Sequence, residues 1–542
     1  MNYTIECFFR FVALIIIISF STVYQGCKKA TELPAEPEPA IARPIEGLAE
    51  VLTDSISALS NFSVTFKGKI IDQGASAIIE SGIVVDTIAN PTVAKNLNKF
   101  KLAADANGEM KVIVTYVPEG TTFYLRSYAV NSAGTAYGNQ VSFRSPEGKS
   151  TLEIFDITTQ QQLIALGEKH YTSVQGLRIS GTVSDLRPLK DLSFVTGGMQ
   201  ITNTSLLKDL TGLEHLEMVG SIFPNSLRLD NNHGLTSLRG LNGLKMVRGY
   251  FYIINHPLLS DLKGLDNYTT TSDGEFRVDN CSKLRSLEGI ENMQLCLGGL
   301  AIIKNPLLQD LKPLANVRVC SAIIISNNAE LKNIFGLEGL REVDAGAGEF
   351  GHITIQSNPM LNSLEGLKNI NRCASVNITL NASLQRLNGL DGLSQIDYLR
   401  IEGNGSLIDF KGLNELRTVN KNLKISQNDK LENMVGLEKL EKVTRLEIIL
   451  NKGIKNLIGL NGLKSIGDSN GYAVTIGLNE NLISLSGLEQ LASSGDGIQI
   501  NYNKNLADFC PLKLLMSSYK GSFFATDNKV KMDEKILVSS CK

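Results

Sequence analysis

The residues in this 542-residue chain that most invite a chemical reading are a set of regularly spaced asparagines, with a few histidines and cysteines in the same places. The stretch "IQSNPMLNSLEGL", Ile355 to Leu367, sets Asn358 ahead of leucines at Leu361, Leu364 and Leu367. Variants of this phrase recur from about Leu186 to Leu512. Six residues before the leucine of each "SL" element stands Asn232, Asn305, Asn328, Asn358, Asn381, Asn404, Asn428, Asn451, Asn479 or Asn503. A carboxamide offers two donors and an acceptor, so amides stacked inside a repeat pair with the backbone of their own and neighbouring turns. Unpaired, each such buried group costs about 1–3 kcal/mol. The pattern therefore predicts a structural ladder and not a reactive site. In four units the position is taken by Ser180, Thr204, His256 or Cys281, which read as ladder substitutes and not as metal ligands or nucleophiles.

Other chemistry is sparse. No HExxH, Walker loop, CxxC or EF-hand pattern is present, and His170, His215, His233, His256 and His352 do not cluster in sequence. Carboxylates fall at solvated repeat positions. These features predict no catalytic residues, no metal site and no cofactor. The net charge of −2 gives no global pull toward nucleic acid, so none is expected as a partner. Tryptophan is absent and aromatics make up 6%, which argues mildly against a stacked-sugar cleft.

The elements that hold these residues follow from the repeat. With the glycine of "SLxGL" as anchor, units fall at Gly212, Gly240, Gly264, Gly289, Gly336, Gly366, Gly389, Gly412, Gly436, Gly459 and Gly487, with Pro188, Pro313 and Pro511 in the same place. Spacings are mostly 23 to 25 residues, with longer ones of 28 and 30. One such unit cannot bury its own apolar side, so a fixed period of this size predicts a solenoid. Each unit opens on a short strand such as "LRLD", "FYII", "FRVD" or "ITIQ". Apolar residues then recur every third position, which suits 3₁₀ turns better than α-helices. The expected fold is mainly β: a sandwich followed by a right-handed solenoid of about fourteen coils of 23–25 residues.

Strand residues two and four before the ladder position point away from the core. Most are polar. Tyr252, Ile254, Ile303 and Ile324 are not, and with Arg228 and Arg277 nearby they predict an apolar patch rimmed by charge, a candidate binding face. The loops "EVDAGAGEFGH" (342–352) and "SIGDSNGYA" (465–473) are further candidate contact surfaces.

The motif "GLxxLxxVxGxLxIxxNxxLxxL", carried by "GLNGLKMVRGYFYIINHPLLSDLKGL" and "GLEKLEKVTRLEIILNKGIKNLIGL", resembles the receptor L domain, a relative of leucine-rich repeats, over roughly residues 150–542. The resemblance implies the fold, and no ligand-contacting residue carries over. Ahead of it, alternating segments such as "NFSVTFKGKII" and "TFYLRSYAVNSAGTAYGNQVSF" predict an antiparallel sandwich. That module resembles fibronectin type III-like domains of bacterial surface lipoproteins, usually spacers. Its tyrosine-corner position is Phe123, which has no hydroxyl, and Tyr124 is expected to face the other side.

The leader "FFRFVALIIIISFSTVYQGC" carries Arg10, an apolar run too short to span a membrane and Gly26-Cys27. This resembles a lipoprotein lipobox, with Tyr24 in place of the usual leucine, and implies acylation at Cys27. "KKATELPAEPEPAIARP" reads as a semi-extended tether. The expected organisation is a signal peptide at 1–26, a linker at 27–48, a fibronectin-like sandwich at 49–149, a receptor L-like solenoid with a capping helix at 150–509, and a C-terminal cap at 510–542. Cys510 and Cys541 are placed to staple that cap, and Cys296 and Cys320, at matching positions in adjacent units, could bond. Cys281 and Cys373 read as free buried thiols. "DSI" at 54–56 and "DTI" at 86–88 resemble bacterial O-glycosylation acceptors.

The functional expectation is a non-catalytic, exported lipoprotein of the outer membrane, exposed at the cell surface and held there by its lipid. It binds an extracellular protein or glycan through the solenoid. The alternative is a structural spacer or self-associating scaffold of the envelope or matrix.

Overall fold

A computed structural model describes residues 47–57, 63–115, 120–145, 147–220, 226–343, 351–467 and 472–541. The leader, Cys27 and nearly all of the tether lie outside those residues. The chain is mainly β and divides at Lys149/Ser150 into two compact units, each considered by itself below.

The first unit holds two antiparallel sheets. One pairs β1 (Glu50–Ser57), β2 (Ser63–Asp72) and β5 (Glu109–Thr115). The other runs β4 (Asn98–Lys101), β3 (Glu80–Asp86), β6 (Thr122–Asn131), β7 (Gly134–Tyr137), with β8 (Val141–Arg144) also on β6. Period-two alternation sends Phe123 and Leu125 inward to pack with Val64, Phe66, Ile83 and Val85. Phe123 is buried and stacks on Phe143 at 5.3 Å, so ring packing stands where a tyrosine hydroxyl was missing. Tyr124 is half-buried.

The second unit is a β-solenoid of about 15 turns spaced about 24 residues apart. Its main strands stack in parallel register, coil on coil, from Ile154–Ile157 through Gly176–Gly181 and Met199–Thr204 to Ile498–Asn501 and Phe523–Phe524. A second parallel ladder of two-residue strands, among them Phe194–Val195, Met218–Val219, Leu295–Cys296 and Val319–Cys320, runs beside it. In some coils the two merge into one strand, as in Met246–Ile254 and Thr418–Ser426. The every-third-residue leucines are buried throughout, Leu361, Leu364 and Leu367 among them. The expected 3₁₀ turns form at Arg187–Leu189, Lys312–Leu314, Glu365–Leu367 and Cys510–Leu512.

The anchor glycines set the spacing between coils. Gly264 has φ 114°, and a Cβ there would lie 2.3 Å from the Leu238 carbonyl oxygen of the preceding coil. Only glycine tolerates both that dihedral and that approach. The ends are closed as expected. The helix Gln160–Gly167 begins with a capping box between Thr159 and Gln162 and buries Leu163 and Leu166. At the other end a disulfide joins Cys510 to Cys541 and ties down the helix Glu534–Ser540, whose Leu537 is buried.

Candidate functional site

The repeated asparagines form a hydrogen-bonded ladder from coil to coil. From Asn305 onward each backbone N–H donates to the Oδ1 of the next coil's asparagine: Asn305 to Asn328 at 3.0 Å, Asn358 to Asn381 at 3.1 Å, Asn479 to Asn503 at 3.0 Å. Each Nδ2 donates back to a core-strand carbonyl of the preceding coil, as Asn358 does to Ile325 at 3.0 Å. The series ends on Asn528, which accepts from Asn503 at 3.0 Å. Asn528 was not anticipated because its coil lacks the "SLxGL" phrase, although it follows Asn503 by 25 residues. At the other end Thr204 donates both its N–H and its hydroxyl to Asn232 Oδ1.

His256 and Cys281 stand inside this column. His256 is fully enclosed, with Nδ1 3.4 Å from the Asn232 carbonyl, and burial draws its pKa down, which favours the neutral ring. The Cys281 N–H donates to Asn305 Oδ1 at 3.1 Å, and burial pushes its thiol up to about 12. A thiol held protonated is no nucleophile.

The repeat carboxylates also act on backbone. Gly289 N–H donates to Glu291 at 2.9 Å, Gly389 to Asp391 at 2.9 Å and Gly264 to Asp266 at 3.1 Å, while Asp409 accepts from Lys411 N–H at 3.1 Å. A recess near the N-terminal helix brings His170 Nδ1 to 2.8 Å from Asp191 Oδ2, and its lining holds no serine, cysteine or lysine.

The parallel register lays the residues of the candidate face out in rows across the strands. One register row reads Arg228, Tyr252, Arg277, Ala301, Ile324, and the next Asp230, Ile254, Asp279, Ile303, Ser326. Tyr252 stands over a packed floor: Phe251 meets Phe276 and Tyr268 edge-on, both at 5.3 Å. Tyr252, Ile254, Ile303 and Ile324 are all half-buried. Ala301 and Ser326, in the same rows, are buried between their neighbours, so the accessible apolar surface is smaller than the sequence alone implied.

The charges around Tyr252 are internally matched. Arg228 Nη2 lies 2.6 Å from Asp230, Arg277 Nε 2.6 Å from Glu275 and Arg277 Nη1 3.3 Å from Asp279. The register puts one arginine on each side of the Tyr252 ring, with guanidinium carbons 5.8 and 5.9 Å from its centroid. Burial, then the Glu275 carboxylate, raises the pKa of its phenol. Tyr250 lies beside it at 5.4 Å and is exposed. Parts of both candidate contact loops, 344–350 and 468–471, lie outside the described residues. Cys296 and Cys320, whose bonding the sequence left open, are free thiols here, as are Cys281 and Cys373.

No protein-family model, curated protein or solved structure matches this chain.

Proposed function

We propose that this chain is a non-catalytic recognition protein of a bacterial cell envelope. In this reading it is exported, acylated at Cys27 and held off the outer membrane by the tether and a fibronectin type III-like spacer. Its receptor L-like solenoid binds a protein partner through the face around Tyr252. The observation that carries the binding proposal is the placement of Tyr252 in register between Arg228 and Arg277, with half-buried Ile254 on its own strand and half-buried Ile303 and Ile324 two and three strands further along the same face. Tyrosine and arginine at the centre of an apolar patch are the residues that dominate protein interfaces. The flanking guanidiniums occupy the space along the ring faces that a sugar would stack on, so a protein is favoured over a glycan. Matched ion pairs leave the patch with little net charge, which suits a neutral apolar knob on the partner.

A screen of residues 150–542 against extracellular proteins and glycans tests this, with Tyr252→Asp alongside. Saturable protein binding that Tyr252→Asp abolishes, with unchanged circular dichroism, supports the face. Binding that survives the substitution moves the site to the loops. Unfolding of the variant overturns the placement of Tyr252.

One observation favours self-association as a second reading. Leu380, Leu450, Leu478 and Tyr502 sit at the corner after each strand with φ between 57° and 61°, where earlier coils mostly use asparagine. This conformation costs a bulky residue about 1–2 kcal/mol. All four side chains are also exposed, Tyr502 by 54%. The backbone strain remains whatever lies over the row, but the exposure of four large apolar side chains is unfavourable in the isolated chain and is relieved if the row is covered. Sedimentation showing dimers that Leu478→Asn disperses supports that reading.

A further inference from the structure

Away from the Tyr252 face and the asparagine ladder lies a pair of buried cysteines, Cys296 and Cys320. Cys296 and Cys320 occupy the column of two-residue strands whose other members include Val195, Val219, Val247, Thr271 and Val343. They are direct register partners on adjacent coils. Both are fully enclosed, and each thiol donates to a backbone carbonyl, Cys296 to Gly299 at 2.7 Å and Cys320 to Ala322 at 2.8 Å. Cys373, in the same column, is separated from them by Val343.

We infer that Cys296 and Cys320 form an inter-coil disulfide when the chain folds under oxidising conditions. Registered parallel strands lie about 4.8 Å apart, inside the Cα separation of about 4.4–6.8 Å that a disulfide spans. The Cβ atoms must close by up to about 1 Å to reach bonding distance, a shift confined to two-residue strands at a corner. The chain already closes one disulfide, Cys510–Cys541. In the reaction the two thiols lose two protons and two electrons. A small-molecule or protein disulfide takes up the electrons by thiol–disulfide exchange through a mixed disulfide and leaves as two thiols. Burial holds the Cys296 thiol well above its usual range, with Cys320 adding to the shift, so little thiolate is available once the coil has closed. The bond therefore forms while the coils are still open. It would pin together the two coils that carry Ala301 and Ile324, members of the same register row as Tyr252. The inference does not depend on the binding reading.

The test refolds full-length, reduced and denatured chain in a glutathione redox buffer. The product is then alkylated, digested with trypsin without reduction and weighed by mass spectrometry. Cys296 falls in peptide 286–304 and Cys320 in 319–332; Cys510 and Cys541 fall in 505–513 and 536–542. The expected result is a linked 286–304/319–332 pair, two hydrogens lighter than its separate parts. Both peptides recovered apart and alkylated, beside a linked 505–513/536–542 pair, overturn the inference. A Cys320→Val variant keeps the column's usual residue and is expected to fold, with peptide 286–304 carrying the alkyl group. Linkage of Cys296 to any other cysteine in that variant also overturns it.

Discussion

Replacing Asn358 with alanine isolates what one rung of the ladder contributes. Asn358 Oδ1 accepts the Asn328 backbone N–H at 3.0 Å, and its Nδ2 donates to the Ile325 carbonyl at 3.0 Å and the Gln356 carbonyl at 3.1 Å. Truncation strands the Asn328 N–H and the Ile325 C=O in a fully buried position. At about 1–3 kcal/mol for each orphaned group, the expected loss is about 2–6 kcal/mol. Asn369 is the comparison: its Nδ2 makes a 2.7 Å inter-coil bond to the Glu338 carbonyl, but the position is exposed. Water replaces that bond, so Asn369→Ala is expected to cost about 1 kcal/mol or less. The assay is urea unfolding of residues 150–542 followed by far-ultraviolet circular dichroism. Because coils interact chiefly with neighbours, the loss at Asn358 should also broaden the transition. Equal losses in the two variants would refute the argument that burial makes the ladder matter.

Three further outcomes follow from the same geometry. His256 is enclosed with its pKa below the usual 6.5, so the stability tied to its neutral form is complete above that value and is lost as pH falls through 6.5 toward the folded pKa; His256→Asn should remove that share of the acid sensitivity, read as a flatter stability–pH profile. Gly436→Ala places a Cβ 2.3 Å from the Phe410 carbonyl carbon at φ 108°, and should lower stability by at least about 2 kcal/mol, whereas Gly405→Ala, with nothing within 4 Å, should be near neutral in the same denaturation experiment. Cys541→Ser opens the C-terminal staple, worth about 3–4 kcal/mol in the chain-entropy treatment, and should expose 513–541 to limited proteolysis while the inner coils keep their hydrogen-exchange protection.

Much of the architecture was legible because it is periodic. A spacing of about 24 residues cannot be satisfied by isolated units, and the every-third leucines, the strand alternation and Asn358 with its counterparts all point to stacked coils. Alternation also placed Arg228, Tyr252 and Arg277 outward, since side-chain direction in a strand follows position alone. The ladder's last rung, Asn528, was obscured because the phrase around it had drifted while the spacing had not.

The sequence by itself determined which residues face the core, which face solvent, and that polar repeat residues would be used on backbone. It could not determine what lies beside each residue in the next coil. Whether Ala301 is accessible, whether Arg228 and Arg277 flank Tyr252, and whether Cys296 meets Cys320 depend on lateral register between segments more than twenty residues apart. Only the tertiary structure decides such contacts, because they arise from the stacking of separate coils and not from the period within any one of them.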